Sequence, residues 1–91
     1  LQKLIDGGKI QVNQRNAWEN IGLAFGSILE NEMDGMTWVT VVDGQREYAA
    51  LQFGDLVIDP SFIVWNNIKT KKACDLKAEF IRIKEEVEKR L

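Results

Sequence analysis

Hydrophobic positions along the chain change their period twice, and those changes divide it into elements. From about Ile10 to Met33 there is no proline, and Trp18, Ile21, Phe25, Ile28 and Leu29 recur at helical spacing. They line one face of an α-helix, with Arg15, Glu19, Asn20, Ser27 and Glu30 opposite. Asp34-Gly35 supplies its C-terminal stop. Ahead of it, Leu1, Leu4 and Ile5 fit the tail of a truncated helix that Gly7-Gly8 ends.

After Gly35 the period falls to two. Trp38-Val39-Thr40-Val41-Val42 is almost wholly aromatic or β-branched and reads as a strand, placed centrally in its sheet. Asp43-Gly44 suits the central positions of a type I′ turn, so a hairpin follows. Its return strand runs from Glu47 to Phe53, with Ala49, Leu51 and Phe53 on one face and Tyr48, Ala50 and Gln52 on the other. Gly54-Asp55 turns the chain again into a third strand over Leu56 to Asp59.

Pro60 has no N–H for a ladder but suits the first turn of a helix, which predicts a short helix over Ser61 to Ile68. Lys69-Thr70-Lys71-Lys72 reads as a loop. Asp75 then caps a final helix whose apolar stripe is Leu76, Phe80, Ile83, Val87 and Leu91. The predicted fold class is α+β: a long N-terminal helix, a three-stranded antiparallel meander, and a short and a C-terminal helix packed on one sheet face.

Composition supports one domain over residues 1 to 91. Ninety-one residues can hold one hydrophobic core, and 45% apolar with 29% charged residues is ordinary globular usage. The chain starts at Leu1, so its N-terminus is read as truncated. No stretch reaches the roughly 18 apolar residues of a membrane span. One unpaired cysteine, Cys74, fits a reducing compartment, and the expected location is the cytoplasm. Net charge is −2, but from Lys69 onward eight basic residues face five acidic ones, net +3, which leaves −5 on residues 1 to 68.

Most enzymatic chemistry finds no support in these residues. With no histidine, a Ser-His-Asp triad and a Cys-His pair are excluded, and no metal or other cofactor is implied. No Ser-x-x-Lys spacing occurs. Cys74 has a helix start and lysines nearby that could lower its pKa, yet an inert cysteine is the better reading. Gly22 and Gly26 share one helix face and bespeak close packing on the sheet more than a dimer seam. They lie inside a helix, so they are no phosphate loop. Glu30, Glu32 and Asp34 gather where the helix dipole disfavours negative charge, which a solvated end tolerates. Asp43, Asp55 and Asp59 sit where aspartate suits turns. The basic C-terminal segment interleaves with Glu79, Glu85, Glu86 and Glu88, which favours a salt-bridged face over nucleic-acid binding.

Phe62, Ile63, Val64, Trp65 and Ile68 are the candidate interaction residues. They point around most of the circumference of a short helix, so they are buried either under the C-terminal helix or against a partner. The leading functional expectation is a non-catalytic protein-interaction module, with a protein partner or self-association as a homodimer through this segment and an exposed sheet face or edge. The alternative is a small-ligand or hydrolytic domain using carboxylates between sheet and helices. A small acidic module also fits the product of a mobile gene cassette.

The order of these signals resembles a bacterial family of small domains of unknown function. The likeness lies in a helix with Gly22-Leu23-Ala24-Phe25-Gly26-Ser27 and in Gly35-Met36-Thr37-Trp38-Val39 opening a strand. Asp43-Gly44, Ala50-Leu51 and Asp59-Pro60-Ser61 entering a short helix complete it. It spans roughly Ala17 to Leu76 and implies an α+β domain with no assigned catalytic residue.

Overall fold

The computed structural model of the chain describes residues 2–8 and 10–91. Helix α1 is Gln2–Asp6 and α2 is Arg15–Glu32; strands β1 Thr37–Asp43, β2 Arg46–Phe53 and β3 Leu56–Ile58 follow, then helices α3 Pro60–Lys71 and α4 Leu76–Glu88. The α+β class and the meander stand. Leu1, assigned above to the first helix, lies outside the described residues.

Helix α2 starts later than its apolar period predicts. The backbone of Gln11 and Gln14 closes a turn, and the Gln14 side chain accepts from the Gln11 amide at 2.7 Å. The Gln11 carbonyl also takes the Trp18 indole N–H at 2.9 Å, fixing the turn against the helix it precedes. A glutamine turn thus replaces the first helical turn that Ile10 implied. At the far end Gly35, with φ +87, adopts the left-handed backbone that the stop requires.

The sheet order is β1-β2-β3. The expectation of a central first strand is therefore corrected: β2 is central and β1 is an edge. The hairpin is corrected too. Asp43 pairs with Arg46, so Gly44 and Gln45 form the turn, and only Gly44 has positive φ, at +64. That is the type II′ arrangement, with glycine first, rather than type I′ centred on Asp43-Gly44.

Trp38 lies opposite Leu51, and Leu51 opposite Ile58. This row is on the sheet face that also bears Phe53 and Leu56, and all five residues join the core formed with Trp18, Phe25, Leu29, Val64, Ile68, Ile83 and Val87 from the helices. No residue of the other face, Val39, Val41, Tyr48, Ala50 or Val57, belongs to that cluster. Ala50 is nonetheless fully buried, so the sheet gives most of its core side chains, though not all of its buried ones, from one side.

Helix α3 continues three residues beyond Ile68, so the predicted loop over residues 69 to 72 is its solvated last turn. The Thr70 hydroxyl donates to the Asn66 carbonyl at 2.7 Å, and Lys69 and Lys71 sit at the negative end of the helix dipole. Its start agrees with expectation: Pro60 is in the first turn, and the Asp59 carboxylate accepts from the Phe62 amide at 3.0 Å. Helix α4 ends before Leu91, which is 90% exposed and leaves the apolar stripe.

The first turn of α4 is held by two side chains. Asp75 accepts from the Lys77 and Ala78 amides, the Gln2 side-chain oxygen takes Leu76 N–H at 2.8 Å, and the Asp75 carbonyl takes Glu79 N–H as the first intrahelical bond. Three of the four free amides of the helix start are thereby satisfied. The Gln2 amide nitrogen donates to the Cys74 carbonyl at 2.7 Å, which joins α1 to the entry of α4.

Candidate functional site

The candidate segment splits between core and surface. Val64 and Ile68 are buried, and both join the core. Their burial corrects their candidacy as contact residues, because a side chain held by its own domain cannot meet a partner. Helix α2 is the main neighbour of α3, and α4 contributes a tie through the Asn67 amide, which donates to Glu79 at 3.1 Å. Ile63 and Trp65 are partly buried against the core. Phe62 alone is substantially free, 51% exposed.

Phe62 and Trp65 stand at a cleft of about 280 Å³ between the N-terminal half of α2, the start of α3 and the first residues of β2. Arg15, Glu19 and Leu23 line it from α2, and Arg46, Glu47 and Tyr48 from β2, with Asp59 and Ser61 at the entry of α3. Two arginines give it its character. Arg15 lies over the Trp65 ring at 5.6 Å from the centroid, and Arg46 over the Tyr48 ring at 4.8 Å. Each stack joins a cation to an aromatic face.

The arginines differ in how firmly their charge is engaged. Arg15 donates to Glu19 at 2.7 Å, one helical turn away. Arg46 reaches Asp59 only at 4.0 Å, and its side chain is 57% exposed. Asp59 meanwhile caps α3. Arg46 can therefore turn toward an incoming carboxylate at little cost, since exposed pairs of this kind are worth about 0 to 1 kcal/mol.

Three carboxylates border this one cleft, Glu19, Glu47 and Asp59, so a cavity lined by acidic groups does exist between sheet and helices. In the sequence Asp59 has only the signature of a turn residue, and nothing marks Glu19, Glu47, Arg15, Arg46 or Tyr48 as members of a site. They come from separate elements, and no local spacing joins Arg15 to Trp65 or Arg46 to Asp59.

The remaining candidates find structural partners. A Cβ on Gly22 would meet the Ser61 backbone and the Pro60 carbonyl oxygen, the latter at 2.6 Å; one on Gly26 would lie 2.6 Å from the Trp38 ring. Gly26 thus faces the sheet as expected, while Gly22 faces α3. Both faces are filled from within the chain. Glu32 and Asp34, at the acidic end of α2, share a surface hollow with Lys84 of α4. In the basic segment Arg82 pairs with Glu79, Lys89 with Glu86, and Arg90 with both Glu86 and Asp55. The Arg90 guanidinium holds the Asp55 and Glu86 carboxyls below their ordinary values.

Cys74 is buried, and its thiol is pushed up to about 11, first by burial and then by the Glu79 and Asp75 carboxylates. Lys71 opposes this only weakly. The activating effect of nearby lysines and a helix start is therefore outweighed, and the thiol stays protonated at neutral pH. Among the described residues, no cluster of His, Cys, Asp or Glu could hold a metal ion, and no helix is long and apolar enough to cross a membrane.

A family model described as a domain of unknown function, DUF3806, matches residues 1–80. A crystal structure of a protein from Bacteroides thetaiotaomicron VPI-5482 superposes with a TM-score of 0.81 at 37% sequence identity, over 87% of this chain and 30% of that one. The chain thus spans about a third of that protein's length. No curated protein matches the chain.

Proposed function

The chain belongs to the DUF3806 family of domains of unknown function, and from that premise we propose that it is a non-catalytic protein-interaction module whose contact surface is the cleft beside Phe62. One observation carries the reading: a half-exposed phenylalanine stands at a cleft that holds two arginine–aromatic stacks. Large aromatics and arginines are the side chains that anchor protein contacts. The best fit is an extended polypeptide segment with an apolar side chain to cover Phe62 and a carboxylate to meet Arg46. The unpaired Cys74 supports placing the module in a reducing compartment, the cytoplasm.

Peptide-display selection on the immobilised chain tests this. Enrichment of apolar–acidic sequences that Phe62→Glu and Arg46→Ala each abolish supports it. No enrichment, or enrichment indifferent to both substitutions, refutes it.

A second reading rests on the three carboxylates that share the cleft with the arginines: a small ligand bearing both charge signs. Ligand-induced thermal stabilisation across a panel of zwitterionic metabolites, lost in Glu47→Gln, would favour it over the peptide reading.

A further inference from the structure

We propose that the free edge of β1 pairs with β1 of a second copy of this chain, antiparallel and centred on Thr40, making one continuous six-stranded sheet. The inference is independent of the Phe62 cleft, which is built from α2, α3 and β2.

β1 is an edge strand of seven residues paired on one side only. Its register with β2 runs without interruption from Thr37–Gln52 to Asp43–Arg46, so no bulge twists it away. It contains no proline and no lysine, two usual means of blunting an edge. Among the described residues, no backbone hydrogen bond from another element reaches it. The opposite edge is different: β3 has three residues and runs into Pro60 almost at once.

Hairpin parity fixes which groups the edge presents. In a two-residue hairpin the residues flanking the loop, here Asp43 and Arg46, are a hydrogen-bonded pair. Thr37, Val39 and Val41 then also direct their N–H and C=O groups toward β2. Trp38, Thr40 and Val42 direct theirs outward. Two of the three are exposed, Thr40 and Val42, the latter 65%, while Trp38 is partly buried against the core.

A two-fold axis at Thr40 uses all of these groups. Thr40 faces Thr40 of the second copy, and Trp38 faces the copy's Val42 on both sides of the axis, so each outward N–H and C=O finds a partner. Shifting the axis to Val39 or Val41 leaves some of them unpaired. The side chains also match. Thr–Thr and aromatic–β-branched pairs are favourable cross-strand neighbours, and Val39 meets Val41 of the copy on the sheet face outside the core. The only charge on the strand, Asp43, faces Thr37 of the copy, so no like charges oppose each other. The contact is self-complementary, as a two-fold interface must be.

Sedimentation velocity over a hundredfold concentration range, with amide exchange read residue by residue, tests the proposal. The wild-type chain should dimerise, and slowed exchange at high concentration should fall on Trp38, Thr40 and Val42. Thr40→Pro removes an outward N–H without touching the β1–β2 ladder, and it should give a folded monomer. Val42→Lys, at an exposed site, should weaken association at least tenfold, which keeps the test decisive if the proline variant fails to fold. A monomeric wild-type chain overturns the proposal. So does a dimer indifferent to Val42→Lys, or one abolished by Phe62→Glu.

Discussion

Gly22 lies against the backbone of Ser61 with no side chain between them. A Cβ at Gly22 would fall 2.6 Å from the Pro60 carbonyl oxygen and 2.8 Å from the Ser61 amide nitrogen. The Ser61 hydroxyl completes the contact by donating to the Glu19 carbonyl of α2 at 3.0 Å. The opening of α3 is thus fixed on α2, and the cleft between them takes its shape from that approach.

Gly22→Ala should therefore destabilise the domain, although alanine is the better helix former by about 1 kcal/mol. Overpacking costs about 1 to 3 kcal/mol, and contact with backbone, which cannot rotate away, puts this site at the upper end, about 3 kcal/mol, so the net loss should be about 2 kcal/mol. Thermal unfolding should show a Tm lower by about 8 to 16 °C. An unchanged or higher Tm would contradict the close approach.

Much of the fold was legible because period and turn chemistry are local. Trp18 to Leu29 marked a helix face, Gly54-Asp55 marked a turn, and Asp59-Pro60 and Asp75 marked helix starts. Misread elements followed from cues that two structures share. Lys69 to Lys72 is polar because its helical turn is solvated, which looks the same as a loop. Strand order is not local, and Trp38 to Val42 reads alike in a central strand and in an edge with one covered face. The cleft was invisible for the same reason: Arg15, Arg46 and Trp65 meet only once α2, β2 and α3 have packed.

Lys72 occupies the left-handed region, φ 60, where it closes α3 by donating its amide to the Ile68 carbonyl at 3.1 Å. A residue with a Cβ pays about 1 to 2 kcal/mol there. Glycine avoids that strain but adds unfolded-state entropy of about 0.4 to 1 kcal/mol. Lys72→Gly should thus stabilise the chain by about 0.5 to 1 kcal/mol in urea titration, with Lys72→Ala near wild type. A glycine variant less stable than the alanine variant would show that this backbone geometry is misassigned.

Gln2 joins α1 to the entry of α4 through the Cys74 carbonyl and the Leu76 amide. Each such bond contributes about 0.5 to 1.5 kcal/mol net, so Gln2→Ala should cost about 1 to 2 kcal/mol. Its signature is local: amide exchange of Leu76 should accelerate, while Lys77 and Ala78, held by Asp75, should change less. Equal acceleration across all three would mean that α4 frays as a unit and that Gln2 is no specific cap.

Cys74 predicts a loss of stability in alkali. Its thiol ionises at about 11 in the folded chain against an ordinary value of 9.0. Between pH 9 and 11 the unfolded state therefore holds fewer protons than the folded state, so stability falls as pH rises, and below pH 9 the thiol contributes no pH dependence. The slope from this one group is at most about 1.4 kcal/mol per pH unit. Cys74→Ala removes it, so the difference between wild-type and variant unfolding free energies should be flat below pH 9 and should shift against the wild type above it. Every other group is common to both proteins and cancels in that difference. The same burial predicts that iodoacetamide at pH 8 modifies the native chain far more slowly than the urea-unfolded one. Equal rates would show that the thiol is accessible and that its burial is wrong.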